Sequence, residues 1–338
     1  MRAVVITGKE TLEVGEVPTP EPGPGQVRLR MAYAGICGSD LHYYFDGANG
    51  EFVVREPLIP GHEVSGTVDL DPAGDLEPGT PVTVHPATFG QAVPGLPDAA
   101  HLWPGGAYLG SASTWPHTQG GMAEYLVVES HMLRPLPENL PLDRAALAEP
   151  LGVALHGIAL AGPVDRKRVL VSGAGPIGLL AVAGALASGA SEVVATDVLP
   201  GPLERASALG AHRTIDVTAE AVPPEHFDVV LECSGAAAAI SAALAGARRA
   251  GTYVQVGMVP NAPIGVNLAP MISKEVTVKG AWRFLDEIDD AVALLASEPR
   301  IGEVVTHEIP AERAVEAFVT AKDSQASGKV LVSLWPDG

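Results

Sequence analysis

The run Gly35-Ile36-Cys37-Gly38-Ser39-Asp40-Leu41-His42-Tyr43-Tyr44 is followed downstream by Gly61-His62-Glu63. Cys37 is one of only two cysteines in 338 residues, so a disulfide framework is excluded. A lone thiol near His and Glu points instead to metal or nucleophile chemistry. A catalytic zinc takes three protein ligands from Cys, His and Asp/Glu and leaves a position open for water or substrate. On spacing alone two readings stand: such a zinc site, or a buried cysteine beside a chance Gly-His-Glu.

A second chemical signature is Gly173-Ala174-Gly175-Pro176-Ile177-Gly178. It follows the apolar run Val169-Leu170-Val171-Ser172, opens a helical pattern, and has Asp197 further on at the end of the next strand. That context makes a Gly-x-Gly-x-x-Gly a dinucleotide loop. Gly173 permits the tight turn, Gly175 lets backbone approach a pyrophosphate, and Gly178 allows close helix–strand packing. The helix beginning at Pro176 and Ile177 then offers free N–H groups and a positive dipole end to phosphate. Asp197 would accept hydrogen bonds from ribose hydroxyls, and a 2′-phosphate there would meet a carboxylate. Val198 and Leu199 follow it with no Arg, which favours NAD over NADP.

The elements that must position these groups are legible in outline. Up to about Val128 the chain is β-rich and punctuated by Gly and Pro; Val27, Leu29, Met31 and Tyr33 alternate with polar neighbours as in a half-buried strand. Val64 to Leu70 and Pro81 to Val84 read as further strands, so Cys37 and His42 leave one strand and His62-Glu63 open another. Asp143 to Leu160 reads as the first long helix. From Arg168 strands and helices alternate regularly, which implies a doubly wound parallel sheet. The strands are expected at Val169–Ser172, Glu192–Asp197, Phe227–Glu232, Tyr253–Val256 and Val276–Lys279. Helical patterns at Asp286–Ala296 and Ala311–Ala321 and a strand from Lys329 to Leu334 close the chain.

Composition narrows the function classes. Hydrophobic residues at 47% and charged residues at 18% suit a globular protein, and 338 residues suit two domains. A formal charge of −19 argues against nucleic acid or an anionic membrane as partner. The N-terminus turns polar too early for a signal peptide and no apolar run is long enough to span a bilayer, so the cytoplasm is the expected location.

The Cys-Gly-Ser-Asp-x-His run with its later Gly-His-Glu resembles the zinc-binding segment of the medium-chain alcohol and polyol dehydrogenases. The likeness continues through Glu149-Pro150, the loop at Gly173 and Trp282-Arg283-Phe284, and so covers essentially the whole chain. Within that family the run resembles sorbitol dehydrogenases and, most nearly, L-idonate 5-dehydrogenases, whose Gly-Ser-x-x-x-x-Pro-His-x-x-Gly-Gly pattern recurs from Gly110-Ser111 to Gly120-Gly121. The resemblance implies an α/β protein: a GroES-like β-rich catalytic domain at 1–149, completed by 284–338, and a Rossmann cofactor domain at 150–283. It implies one catalytic zinc per subunit held by Cys37, His62 and Glu63 or Glu149, with Glu149 facing the metal directly or through water. Ser39 and His42 stand two and five residues after Cys37, where the family places its proton relay, and Asp40 reads as a structural hydrogen-bonder. Zinc lowers the pKa of a bound alcohol, and a hydroxyl followed by an imidazole gives the proton a route to solvent. Glu63 is counted with Ser39 and His42 in the catalytic set.

Many family members carry a second, four-cysteine structural zinc; with no cysteine between Cys37 and Cys233 that site is absent here. His85, Asp98 and His101 are poor substitutes, because structural sites lean on thiolates. By the same resemblance Tyr43, Arg283 and Phe284 line the substrate pocket. The expected reaction is oxidation of a secondary alcohol on a sugar acid or polyol with NAD, foremost L-idonate to 5-ketogluconate, in a homodimer or homotetramer. The alternatives are a sorbitol- or xylitol-type polyol dehydrogenase, or a cofactor-binding protein without catalysis.

Overall fold

The structure is a computed structural model that describes residues 1–335. Its first half is built on a seven-stranded sheet. The long strand Gln26–Gly35 lies at its centre, pairing antiparallel with Glu63–Leu70, with Tyr125–Glu129 and with Lys329–Ser333. Val27, Leu29 and Met31 are buried while Arg28 and Arg30 are half-exposed, the period-two pattern of a strand with one face on a core. Phe318, Val330, Val332 and Trp335 from the end of the chain join that core. Burying a side chain the size of Phe318 contributes about 1.5–3 kcal/mol.

The second sheet is wholly parallel. Its order is Arg213–Asp216, Glu192–Asp197, Arg168–Ser172, Phe227–Glu232, Ala247–Gln255 and Thr277–Gly280. The order reverses direction at Arg168–Ser172, and the crevice beyond the carboxyl ends of strands at such a point is where a dinucleotide binds. Apolar cores lie on both faces, one containing Leu151, Val171 and Phe284, the other Leu170, Phe227 and Tyr253. The helices Ala148–Ala161 and Pro176–Ala187 meet where Leu155 and Ile158 close on Gly184. The chain is therefore α/β, with the β-rich and parallel-sheet halves that the sequence indicates.

Local differences have physical causes. The long helix expected from Asp143 is two pieces, Leu142–Ala145 and Ala148–Ala161, broken at Ala146-Leu147 although both residues favour helix. The strand Arg213–Asp216 has only Ile215 buried, so it lacks an apolar signature. The strand Ala247–Gln255 begins well before Tyr253, because the polar Arg248-Arg249 pair hides its first half. Helix Glu287–Ser297 packs Ile288, Ala291, Val292 and Leu295 into the core of the parallel sheet, and the chain rejoins the first sheet with Val305–Pro310 and Lys329–Ser333. Among the described residues no helix is long and apolar enough to cross a membrane.

Candidate metal and cofactor site

Cys37 is the N-cap of a helix, Gly38–Phe45, which the sequence reading passed over as the segment leaving a strand. His62 and Glu63 enter the neighbouring strand Glu63–Leu70. Asp40, wholly buried, ties the two segments together: one carboxylate oxygen accepts the Cys37 amide at 2.9 Å and the other the Gly61 amide at 3.2 Å. That is the structural role expected of it. Ligand atoms of Cys37, His62 and Glu63 then all lie within 4.8 Å of one another. Among the described residues this is the one group of three or more such side chains that could hold a metal.

The donor set fits zinc: a thiol, an imidazole and a carboxylate on rigid element ends. His62 is buried and its Nδ1 has no hydrogen-bond partner. Burial disfavours a proton on this ring, but Cys37, Asp40 and Glu149 together outweigh it and lift the His62 pKa to about 10. The surroundings are thus built to hold a positive charge at this point.

Two supporting contacts escaped the sequence reading. Lys329, at the start of the last strand and 2% exposed, donates to both oxygens of Glu63 at 2.7 Å and to the Ile36 carbonyl at 3.1 Å. A carboxylate has lone pairs enough for both a lysine and a metal. Gly35 makes room for this pair, because a Cβ there would lie 2.1 Å from a Glu63 oxygen. Glu149, also buried, stands beside the cluster rather than within it, and one of its oxygens accepts the Tyr108 hydroxyl at 2.5 Å. Burial raises the Glu149 pKa, against the pull of His62.

Ser39 and His42 share the helix that Cys37 caps, three residues apart and with no direct hydrogen bond between them. His42 is exposed, and its Nδ1 is 2.9 Å from Asp46, which holds that carboxyl below its usual range. Tyr43 is buried, with its hydroxyl bonded to Ser111 and accepting the Ala112 amide, each at 3.1 Å. Phe284 is buried against His85 and Gly152 and borders a cleft of about 360 Å³. Phe52, Phe89, Trp103, Trp282 and Arg283 also line this cleft; the metal group lies outside its wall. Arg283 joins the two, with its guanidinium carbon 3.9 Å from the Tyr108 ring centre and 5.0 Å from that of Trp282. It forms no ion pair or hydrogen bond among the described residues, so its N–H edge is open.

His85, Asp98 and His101 do not form a second metal group. His85 is committed to the Leu285 carbonyl and the Ala87 amide, and His101 stacks edge-on against His156.

At the switch point of the parallel sheet, Gly173 has φ of 92°, and a Cβ on Gly178 would lie 1.8 Å from the Gly173 carbonyl oxygen. A Cβ on Gly175 would meet nothing within 4 Å, so the space before the helix Pro176–Ala187 is free for a phosphate group. Asp197 accepts the Ala174 amide at 2.9 Å with one oxygen, and the Val198 and Leu199 amides at 2.8 and 3.0 Å with the other.

Residues 23–138 match the family described as alcohol dehydrogenase GroES-like domain, and residues 176–297 match zinc-binding dehydrogenase. The chain is 37% identical to a sorbitol dehydrogenase of Gallus gallus over 95% of this chain and 93% of that protein. It is 34% identical to the L-idonate 5-dehydrogenase (NAD(P)(+)) of Escherichia coli K12, over 88% of each. The crystal structure of L-idonate 5-dehydrogenase from Escherichia coli superposes with a TM-score of 0.91 at 31% identity, covering 98% of this chain and 97% of that one.

Proposed function

The chain belongs to the zinc-binding alcohol and polyol dehydrogenases, which use zinc and NAD(P), and from that premise we propose that it oxidises L-idonate at C5 to 5-ketogluconate with NAD. The observation that carries the substrate is Arg283. It is a planar cation at the cleft wall, one aromatic ring from the metal group, with its donor edge unpaired. Such a fork recognises a carboxylate in two-point fashion. The formal charge of −19 opposes an anionic substrate at long range, but salt screens that beyond about 8–10 Å and leaves the local contact in charge.

In this reading Cys37, His62 and Glu63 hold the zinc, Lys329 keeps Glu63 ionised and aimed, and Glu149 faces the cluster from the side. When bound, zinc supplies a Lewis acid at the carbinol oxygen and NAD supplies the hydride acceptor. The Ser39 hydroxyl takes the substrate proton and hands its own toward His42. With Nδ1–H given to Asp46, the other ring nitrogen of His42 is the one that exchanges protons with solvent. The glycine loop and the helix beginning at Pro176 and Ile177 seat the pyrophosphate, and Asp197 takes the ribose hydroxyls. Tyr43 and Phe284 shape the walls around the substrate. The enzyme acts in the cytoplasm as a homodimer or homotetramer.

A panel of polyols and aldonates with NAD and NADP tests the proposal. L-idonate with NAD is expected to give the highest kcat/KM. Activity confined to neutral polyols would move the assignment to a sorbitol- or xylitol-type dehydrogenase, and no turnover with any alcohol would leave a cofactor-binding protein.

A further inference from the structure

Tyr108 touches every part of the site without being a metal ligand or a donor to the substrate in the reading above. It is 5% exposed and sits on a two-residue strand, Ala107–Tyr108, that pairs only with Ala87–Thr88. Its hydroxyl donates to Glu149 at 2.5 Å, its ring stands edge-on to His62 at 5.3 Å between centres, and the Arg283 guanidinium lies over its other side at 3.9 Å. Arg283 reaches that position with φ of 52°, a left-handed conformation that a branched-out side chain holds only where its surroundings dictate it.

We propose that Tyr108 is a positioning residue with two separable roles: its hydroxyl fixes Glu149 at the edge of the metal group, and its ring is the platform that aims Arg283 at the acidic end of the substrate. The hydroxyl occupies one Glu149 oxygen, which sets the direction of the other. The ring face takes the flat side of the guanidinium, which leaves the N–H edge turned away from the protein for a carboxylate. One side chain thereby sets the distance between the point where the acid group is held and the point where the alcohol reacts. The inference rests on the proposed metal set and, for its second role, on an aldonate substrate.

The test uses the full-length zinc-loaded enzyme and two readouts. Zinc affinity is measured by competition with a chromogenic chelator, without substrate, and KM is measured for L-idonate and for sorbitol. Tyr108→Phe keeps the platform and loses the hydroxyl. It should weaken zinc binding by about 10-fold or more, the usual cost of losing an outer partner, and leave the ratio of the two KM values within about twofold of wild type. Tyr108→Met removes both roles and should in addition raise the L-idonate KM about 10-fold over that for sorbitol, a loss that does not add to that of Arg283→Leu. Unchanged zinc affinity in Tyr108→Phe overturns the hydroxyl's role. An unchanged KM ratio in Tyr108→Met overturns the platform. If Tyr108→Met does not fold, Arg283→Lys decides the same point, since it keeps charge without a flat face and should raise the same ratio; a wild-type ratio there overturns the platform. A wild type inactive on aldonates would refute the proposed substrate and, with it, the platform, while the zinc measurement would still decide the hydroxyl.

Discussion

The ammonium of Lys329 lies 2.7 Å from each carboxylate oxygen of Glu63, although 266 residues separate them along the chain. Both are buried, so each is the other's compensation when no metal is present.

Lys329→Met should therefore destabilise the metal-free protein by about 3–5 kcal/mol, the cost of leaving one buried charge unpaired. With zinc bound the loss should be smaller, because the metal supplies the missing positive charge. Denaturant unfolding of both proteins, with and without zinc, measures the difference. Equal losses in the two states would mean that Glu63 does not serve the metal.

Asp197→Ala should weaken NAD and shift preference toward NADP by about 1–3 kcal/mol, on the scale of a charged hydrogen bond. Because Asp197 also holds the amides of Ala174, Val198 and Leu199, the KM for both cofactors should rise. The ratio of kcat/KM values for NAD and NADP is the readout. A wild type that already prefers NADP would remove Asp197 from the selection.

Ser39→Ala should lower kcat by about 10²–10⁴-fold at neutral pH with zinc retained, since the substrate proton loses its first acceptor. His42→Ala should cost less and recover at high pH, where hydroxide replaces the exposed imidazole. Near-wild-type turnover in Ser39→Ala would take the relay out of the mechanism.

The Glu287 carboxylate gives a pH test away from the chemistry. Burial opposes its ionisation, but hydrogen bonds from His156 and the Leu285 amide hold its pKa at about 2, below the ordinary 4.5. A depressed folded pKa means that the stabilisation is complete above about pH 4.5 and fades as the pH falls toward 2. Glu287→Gln should cost about 1–2 kcal/mol at pH 7, discounted for solvent screening, and the gap to wild type should shrink by pH 3. A gap that does not change with pH would show that shape, not charge, is at stake.

What could be read in the sequence was what is local. Cys37 with Asp40, His62 with Glu63, and the loop from Gly173 to Gly178 are short motifs whose spacing carries their chemistry. The parallel sheet showed itself through apolar runs such as Val169–Ser172 and Phe227–Glu232, which are buried on both faces. Lys329 and Tyr108 had no such signature. A lysine opening an apolar strand and a tyrosine in a Gly- and Pro-rich stretch acquire meaning only when the fold brings Glu63 and Glu149 to them. The helix beginning at Cys37 was hidden by its length, eight residues with two glycine-flanked ends, and the strand Arg213–Asp216 by its exposure.

Asp40 has a consequence for how the enzyme acquires its metal. By bracketing the Cys37 and Gly61 amides with one buried carboxylate, it sets the geometry of the ligands through backbone hydrogen bonds that involve no ion. In small zinc modules the chain orders itself around the metal, and binding and folding are one event. Here the socket is assembled during folding, and filling it only displaces a proton from His62. Zinc lost to a chelator should leave behind a folded, reloadable enzyme, so the supply of metal would switch activity on and off without consuming protein.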